Sequence, residues 1–205
     1  MEQLLVSMLI AVAALLAGRA FRWRRRRRLA QETARLVEAE RIVALLSARQ
    51  PGVWDQDELR SRVEGTARDL WSLPTRDAMA PLAMWIAPSI LNQHLDRWPA
   101  RAERREVRLR MLEPASFVQV QEGGEQDRLV ARLRAQWEAI WHDARGRVIR
   151  RERRAAFRTY HAWVHIDGQG WQLTAISTEP PLEEPAPSSV ACRIMPQDAA
   201  EGIGR

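Results

Sequence analysis

Apolar residues fill the chain from Leu4 to Ala17 (LLVSMLIAVAALLA) without one charge, and Arg22 to Arg28 (RWRRRRR) follows almost at once. A helix rising about 1.5 Å per residue carries Leu4 to Phe21 over roughly 27 Å, close to a hydrocarbon core of about 30 Å. Arg19 can snorkel to the headgroups. The pattern predicts a transmembrane anchor over 1–21. Leu4, Leu5, Met8, Leu9, Ile10, Val12, Leu15, Leu16 and Phe21 would sit in lipid. Arg22, Trp23, Arg24, Arg25, Arg26, Arg27 and Arg28 would meet the headgroups, where each basic residue is worth about 1 kcal/mol. A cleaved signal peptide needs a positive start, and here only Glu2 precedes the apolar run.

Behind the arginines the period is helical. Leu29, Leu36 and Val43 recur every seven residues, against a polar face of Glu32, Arg35, Glu38 and Arg41. This predicts a polybasic segment and stalk over 22–52, ended by Gln50-Pro51-Gly52. Asp55 with Glu58 resembles a capping box opening a helix striped by Leu59, Val63, Thr66, Ala67, Leu70 and Trp71. Leu73-Pro74 stops it. A short helix capped by Thr75 runs to Ala83, and Pro88 starts a helix to Trp98.

The period then switches to two. Val107, Leu109 and Met111 mark one strand, and Phe117, Val118 and Val120 a second. Leu129 to Trp141 alternates over thirteen residues and is the clearest strand. Asp143 to Arg154 reads as an arginine-rich hairpin connection, Ala156 to Ile166 as the return strand, Asp167 to Gly170 as a tight turn, and Trp171 to Ser177 as the last strand. Helices followed by strands give an α+β domain over 53–177. Pro180, Pro181, Pro185 and Pro187 predict a disordered tail over 178–205.

Composition sharpens this in two ways. The net charge of +6 equals that of the first 28 residues, so the remaining chain is neutral. A nucleic-acid-binding domain carries its own basic excess, which leaves ribosomal RNA as the one nucleic-acid partner to consider. The single cysteine, Cys192, permits no internal disulfide and no cysteine metal site. The positive-inside rule places the N-terminus outside and the domain in the cytoplasm.

Candidate chemistry is sparse. His161 and His165 share a strand face with Phe157, Thr159 and Trp163, near Asp167. On a half-exposed face these histidines simply flank Trp163, and His94 reads as a surface residue. No phosphate loop, nucleophile elbow or metal-ligand spacing occurs, so the chain reads as non-enzymatic, with no cofactor expected. Of nine tryptophans, Trp71, Trp85, Trp137, Trp141, Trp163 and Trp171 can fill a core or line an apolar pocket. Trp54 and Trp98, at element ends, and Arg147, Arg150 and Arg151 in the basic connection are candidate partner contacts.

Three segments, GVWDQDELRSRVEGTARDLW, MWIAPSILNQHLDRW and RTYHAWVHIDGQGWQLTAIS, resemble the Tim44-like domain family across Val53 to Ser177. Trp54 stands for the aromatic before the first helix, Ala87-Pro88-Ser89-Ile90 for the proline-led helix opening, and Trp163 and Trp171 for the aromatics of the last strands. Ser89 replaces the family's acid after proline, and Leu70-Trp71 only loosely echoes its alanine–tryptophan pair. The resemblance implies a cone-shaped fold related to nuclear transport factor 2. It further implies a bacterial inner-membrane protein, single-pass, acting as an adaptor or accessory subunit in membrane-protein assembly or translocation. Its partners would be membrane lipids and one or more membrane proteins. Tethering to a ribosome or to anionic lipid, and a pocket enzyme or carrier of a small apolar ligand, are the alternatives.

Overall fold

The computed structural model describes residues 2–123 and 126–180. Side chains are described from Arg19 onward, except those of Arg22, Arg24, Arg25 and Arg28. The anchor side chains Leu4 to Leu16, those four arginines and the tail beyond Pro180 therefore lie outside the described residues. The first helix, α1, spans Glu2–Arg49. Among the described residues no helix is long and apolar enough to cross a membrane.

The chain divides into two compact units, 1–38 and 39–205. In the first, Phe21 and Trp23 are exposed, and the Arg27 guanidinium lies 4.9 Å from the Trp23 ring centroid. The second begins well before the predicted stalk end at 52. Ala39, Val43 and Leu46 are buried in the main core. Three- and four-residue steps put them on one helical stripe. Glu40 fixes this stretch: its Oε1 accepts from the Phe117 amide at 3.1 Å, and its Oε2 accepts from Gln56 at 2.8 Å and Arg60 at 3.0 Å.

A one-turn helix, α2 (Pro51–Trp54), turns the chain into α3 (Gln56–Ser72). Asp55 caps α3 as the sequence predicts, accepting from the Glu58 amide at 2.8 Å. The reciprocal half of the capping box is missing, because the Glu58 carboxylate pairs with Arg62 at 2.7 Å instead. The segment predicted as a Thr75-capped helix is a 3-10 helix, Asp77–Met84, with Pro81 inside. Proline removes the donor that an α-helical turn requires. Helix α4 spans Pro88–Asp96, shorter than predicted, and Trp98 closes a turn onto Leu95.

Five antiparallel strands follow: β1 (Arg104–Leu112), β2 (Ser116–Gln121), β3 (Arg128–His142), β4 (Val148–Ile166) and β5 (Gly170–Ser177). Their order is β1-β3-β4-β5, with β2 on the same edge of β3 as β1 but beyond its end. Every strand pair carries a register shift, and such bulges bend a sheet. Leu129, Ala131, Leu133 and Ala135 bury one face of β3 against the helices, with Phe117, Trp163 and Leu173. The outer edge of β5 is covered by the segment before α4: Leu173 receives the Ala87 amide at 2.8 Å and donates to Trp85 at 2.7 Å.

The basic connection is a correction to the sequence reading. The turn is only Asp143 to Arg147, closed by the Asp143 carboxylate on the Arg145 and Arg147 amides at 2.9 Å each, with Gly146 at φ 74°. Arg150 to Arg154 belong to β4, opposite Trp141 to Trp137 of β3. Solvated arginines on a strand give no apolar alternation, so nothing in the pattern announces the strand.

If α1 enters the core from Ala39, Leu46→Ala in the full chain should cost about 2–5 kcal/mol in urea unfolding, the usual range for a buried leucine. Val37→Ala, on the exposed part of the helix, should change stability by less than about 0.5 kcal/mol. Equal effects would show that the stalk ends where the sequence places it.

Candidate functional site

Helix α3 ends at Leu73-Pro74 with no glycine in the left-handed position. Proline has no N–H to return to the last turn, so the terminal carbonyls need another donor. Arg105 of β1 supplies it. Its Nη2 donates to Leu70 at 3.2 Å and Trp71 at 2.8 Å, its Nε to Leu73 at 3.1 Å, and its amide to Pro74 at 2.7 Å. Only 5% of the residue is exposed. Burial pulls the guanidinium down to about 10, with Glu152 acting the other way; it stays charged at neutral pH, and a cation suits a helix C-terminus.

Arg105 also lies 4.9 Å from the Trp98 ring centroid, and its Nη1 lies 3.3 Å from His94 Nε2. Since a guanidinium only donates, His94 Nε2 accepts and the neutral ring carries its proton on Nδ1. Burial, then Arg105 and Arg97, hold His94 down to about 4.

Around these groups is a cavity of about 600 Å³. Helices α3 and α4 contribute Trp71, Ile90 and His94, and the sheet contributes Trp137, Trp141 and Phe157. Four arginines line it, Arg97, Arg105, Arg150 and Arg154, against the single carboxylate of Glu152. Glu152 is gripped by Arg150 at 2.9 Å and Arg154 at 2.8 Å. Arg150 stacks 5.1 Å from Trp141, and Arg154 lies 5.8 Å from Trp137 and 5.7 Å from Phe157. The result is an aromatic-walled, positively charged recess.

The sequence-selected tryptophans divide. Trp71, Trp137 and Trp141 line this cavity. Trp163 and Trp171 are in the main core, Trp171 donating to the Val53 carbonyl at 2.8 Å, and Trp85 is half-buried under Arg62 at 4.5 Å. Trp54 and Trp98 are not exposed contacts: Trp54 is 0% exposed, edge-on to Trp171 at 4.9 Å, and Trp98 is a buried wall of the cavity. Arg147 lies in the β3–β4 turn, while Arg150 faces the cavity and Arg151 a shallow depression formed with Glu106, Arg110 and Ile140.

On the histidine face only His165 and Phe157 are partly exposed, as the sequence predicts; His161 is not. His161 is sealed, edge-on to Trp71 at 5.8 Å and 3.2 Å from the Thr159 hydroxyl, and burial holds its pKa down to about 3. His165 Nδ1 is 3.9 Å from Asp167, beyond hydrogen-bond distance. His94 reads as a surface residue in the sequence but lines the cavity, and Arg105, one of the arginines that follow α4, is buried rather than solvated. A signal for Arg105 existed, since it shares the two-residue period of Val107 and Leu109.

Among solved structures, the chain is similar to the intermembrane space region of chloroplast protein ARC6, at 16% identity and TM-score 0.42, over 58% of this chain and 94% of that one. It is also similar to an Ntf2-like protein involved in plasmid conjugation, at 12% identity and TM-score 0.40, over 63% of this chain and 51% of that one. No family model and no curated protein matches the chain. The α+β fold rests on the strand register and core, and the Tim44-like likeness is one of sequence pattern.

Both His94 and His161 have folded pKa values below the ordinary 6.5. As pH falls below that value the unfolded chain takes up protons first, so stability is full above about 6.5 and declines toward pH 4. The urea midpoint should fall across that window, and His161→Leu should flatten the decline. A midpoint equally steep in the variant would remove His161 from this role.

Proposed function

We propose that the chain is a membrane-tethered, non-enzymatic adaptor whose folded unit docks a protein partner through the free edge of β4. Residues 1–28 form the tether: the apolar run Leu4 to Ala17 lies within the span of α1, and the arginine block behind it sets the direction. This reading puts the folded unit in the bacterial cytoplasm, at the inner membrane.

The observation that carries the docking reading is the length mismatch between β4 and β5. β5 pairs with β4 only from Tyr160 to Ile166, so among the described residues Val148 to Phe157 is bonded to β3 on one side and has no strand partner on the other. Val148 is 45% exposed and Ile149 39%, among exposed arginines. An open edge invites strand addition, and charge on it excludes unselected partners. From Arg147 to Arg158 the only acid is Glu152. The fitting partner is therefore an extended acidic segment of a membrane-complex subunit. Support for an adaptor over an enzyme comes from His161, which is sealed and neutral rather than poised beside substrate.

A photo-crosslinker at Ile149, in the full chain in native membranes, should give one discrete protein adduct. Arg151→Glu with Arg153→Glu should cut its yield by about tenfold or more. An unchanged yield, or adducts only with lipid or ribosomal RNA, would reject the edge as a protein-docking site. On topology, protease added outside intact spheroplasts should spare the folded unit; digestion from that side would reverse the orientation.

A further inference from the structure

The cavity beside Arg105 sets four arginines against one carboxylate, with Gln93, Thr159, Ser177 and Thr178 as its uncharged polar groups. His94 contributes a donor at Nδ1, its Nε2 being occupied by Arg105. The one carboxylate, Glu152, is already shared by Arg150 and Arg154. Four arginines therefore face one carboxylate, and Arg97, exposed at the cavity's rim, is left with a guanidinium open to an anion.

The walls say what else an occupant needs. Flat aromatic faces from Trp71, Trp137 and Phe157 bound the space, edge-on to one another, with Trp71 to Phe157 at 5.7 Å and Trp137 to Phe157 at 6.3 Å. A volume near 600 Å³ falls within the usual range for small-molecule sites, about 300–1,000 Å³.

We propose that this cavity binds a small organic carboxylate with a flat or extended apolar body, the apolar part lying among Trp71, Trp137 and Phe157 and the carboxylate meeting Arg97. This site does not rest on the adaptor reading, since it lies on the inward side of β4 and needs no protein at the open edge. An aromatic acid and a fatty acid share the required chemistry, and competition separates them.

The test uses the full chain held in amphipol, titrated calorimetrically with 2-naphthoate and, separately, with its neutral amide, each corrected for empty amphipol. One naphthoate per chain should bind, at least about tenfold more tightly than the amide. Arg97→Gln, at an exposed position that leaves the α3 cap intact, should remove most of that preference. Indole-3-acetate and oleate then compete for bound naphthoate; displacement by the first assigns an aromatic acid, by the second an acyl chain. Equal affinity for acid and amide, no binding of either, a preference untouched by Arg97→Gln, or displacement by neither competitor would overturn the proposal. Arg105→Gln is a poor substitute because it strips the helix cap, so a loss of binding there would not separate charge from fold.

Discussion

The end of α3 is the constraint around which the rest is arranged. A helix stopped by Leu73-Pro74 presents buried carbonyls with no backbone donor in reach. One guanidinium meets three of them, from a strand more than thirty residues further along the chain. That single side chain fixes where β1 lies against the helices, and it places Trp98 and His94 through the contacts left to it. The charge it brings could not be buried alone at acceptable cost. Three carbonyl acceptors and the helix C-terminus make it tolerable, and the cavity inherits the positive field.

β4 joins the two surfaces proposed for binding. Because it runs past the end of β5, its first half has one bonded edge and, among the described residues, no strand on the other. Alternation then sends Arg150, Glu152 and Arg154 to the cavity and leaves Arg151 beside the shallow depression on the other face. The same strand thus bounds a ligand-sized recess on one side and offers an open ladder along its rim.

What the sequence reveals follows from which forces are local. Stripes and alternation are local, so α3, its Asp55 cap, the long strand β3 and the Asp167 to Gly170 turn are legible from residue order. The buried face of α1 is only partly so: Val43 is on the visible seven-residue repeat, but the core face uses Ala39 and Leu46 beside it, with Glu40 chosen by contacts far along the chain. β4 hides because its first half buries almost nothing and its arginines mimic a loop. Trp54 and Trp98 look like surface aromatics because they end elements; tertiary packing decides otherwise. Arg105 is the clearest case: its two-residue period with Val107 and Leu109 marks an inward face, but no local rule shows that its partners are carbonyls of a distant helix.

Urea unfolding of Arg105→Gln and Arg105→Lys in the full chain tests this account most directly. Glutamine leaves α3 carbonyls buried without donors, at about 1–3 kcal/mol for each unsatisfied group. A lysine ammonium keeps the charge but cannot fork to three acceptors in one plane. The account predicts a loss of at least about 3 kcal/mol for glutamine and a smaller but clear loss for lysine. Stability within about 0.5 kcal/mol of the parent for both variants would mean that α3 ends without Arg105, and that the cavity is not built around it.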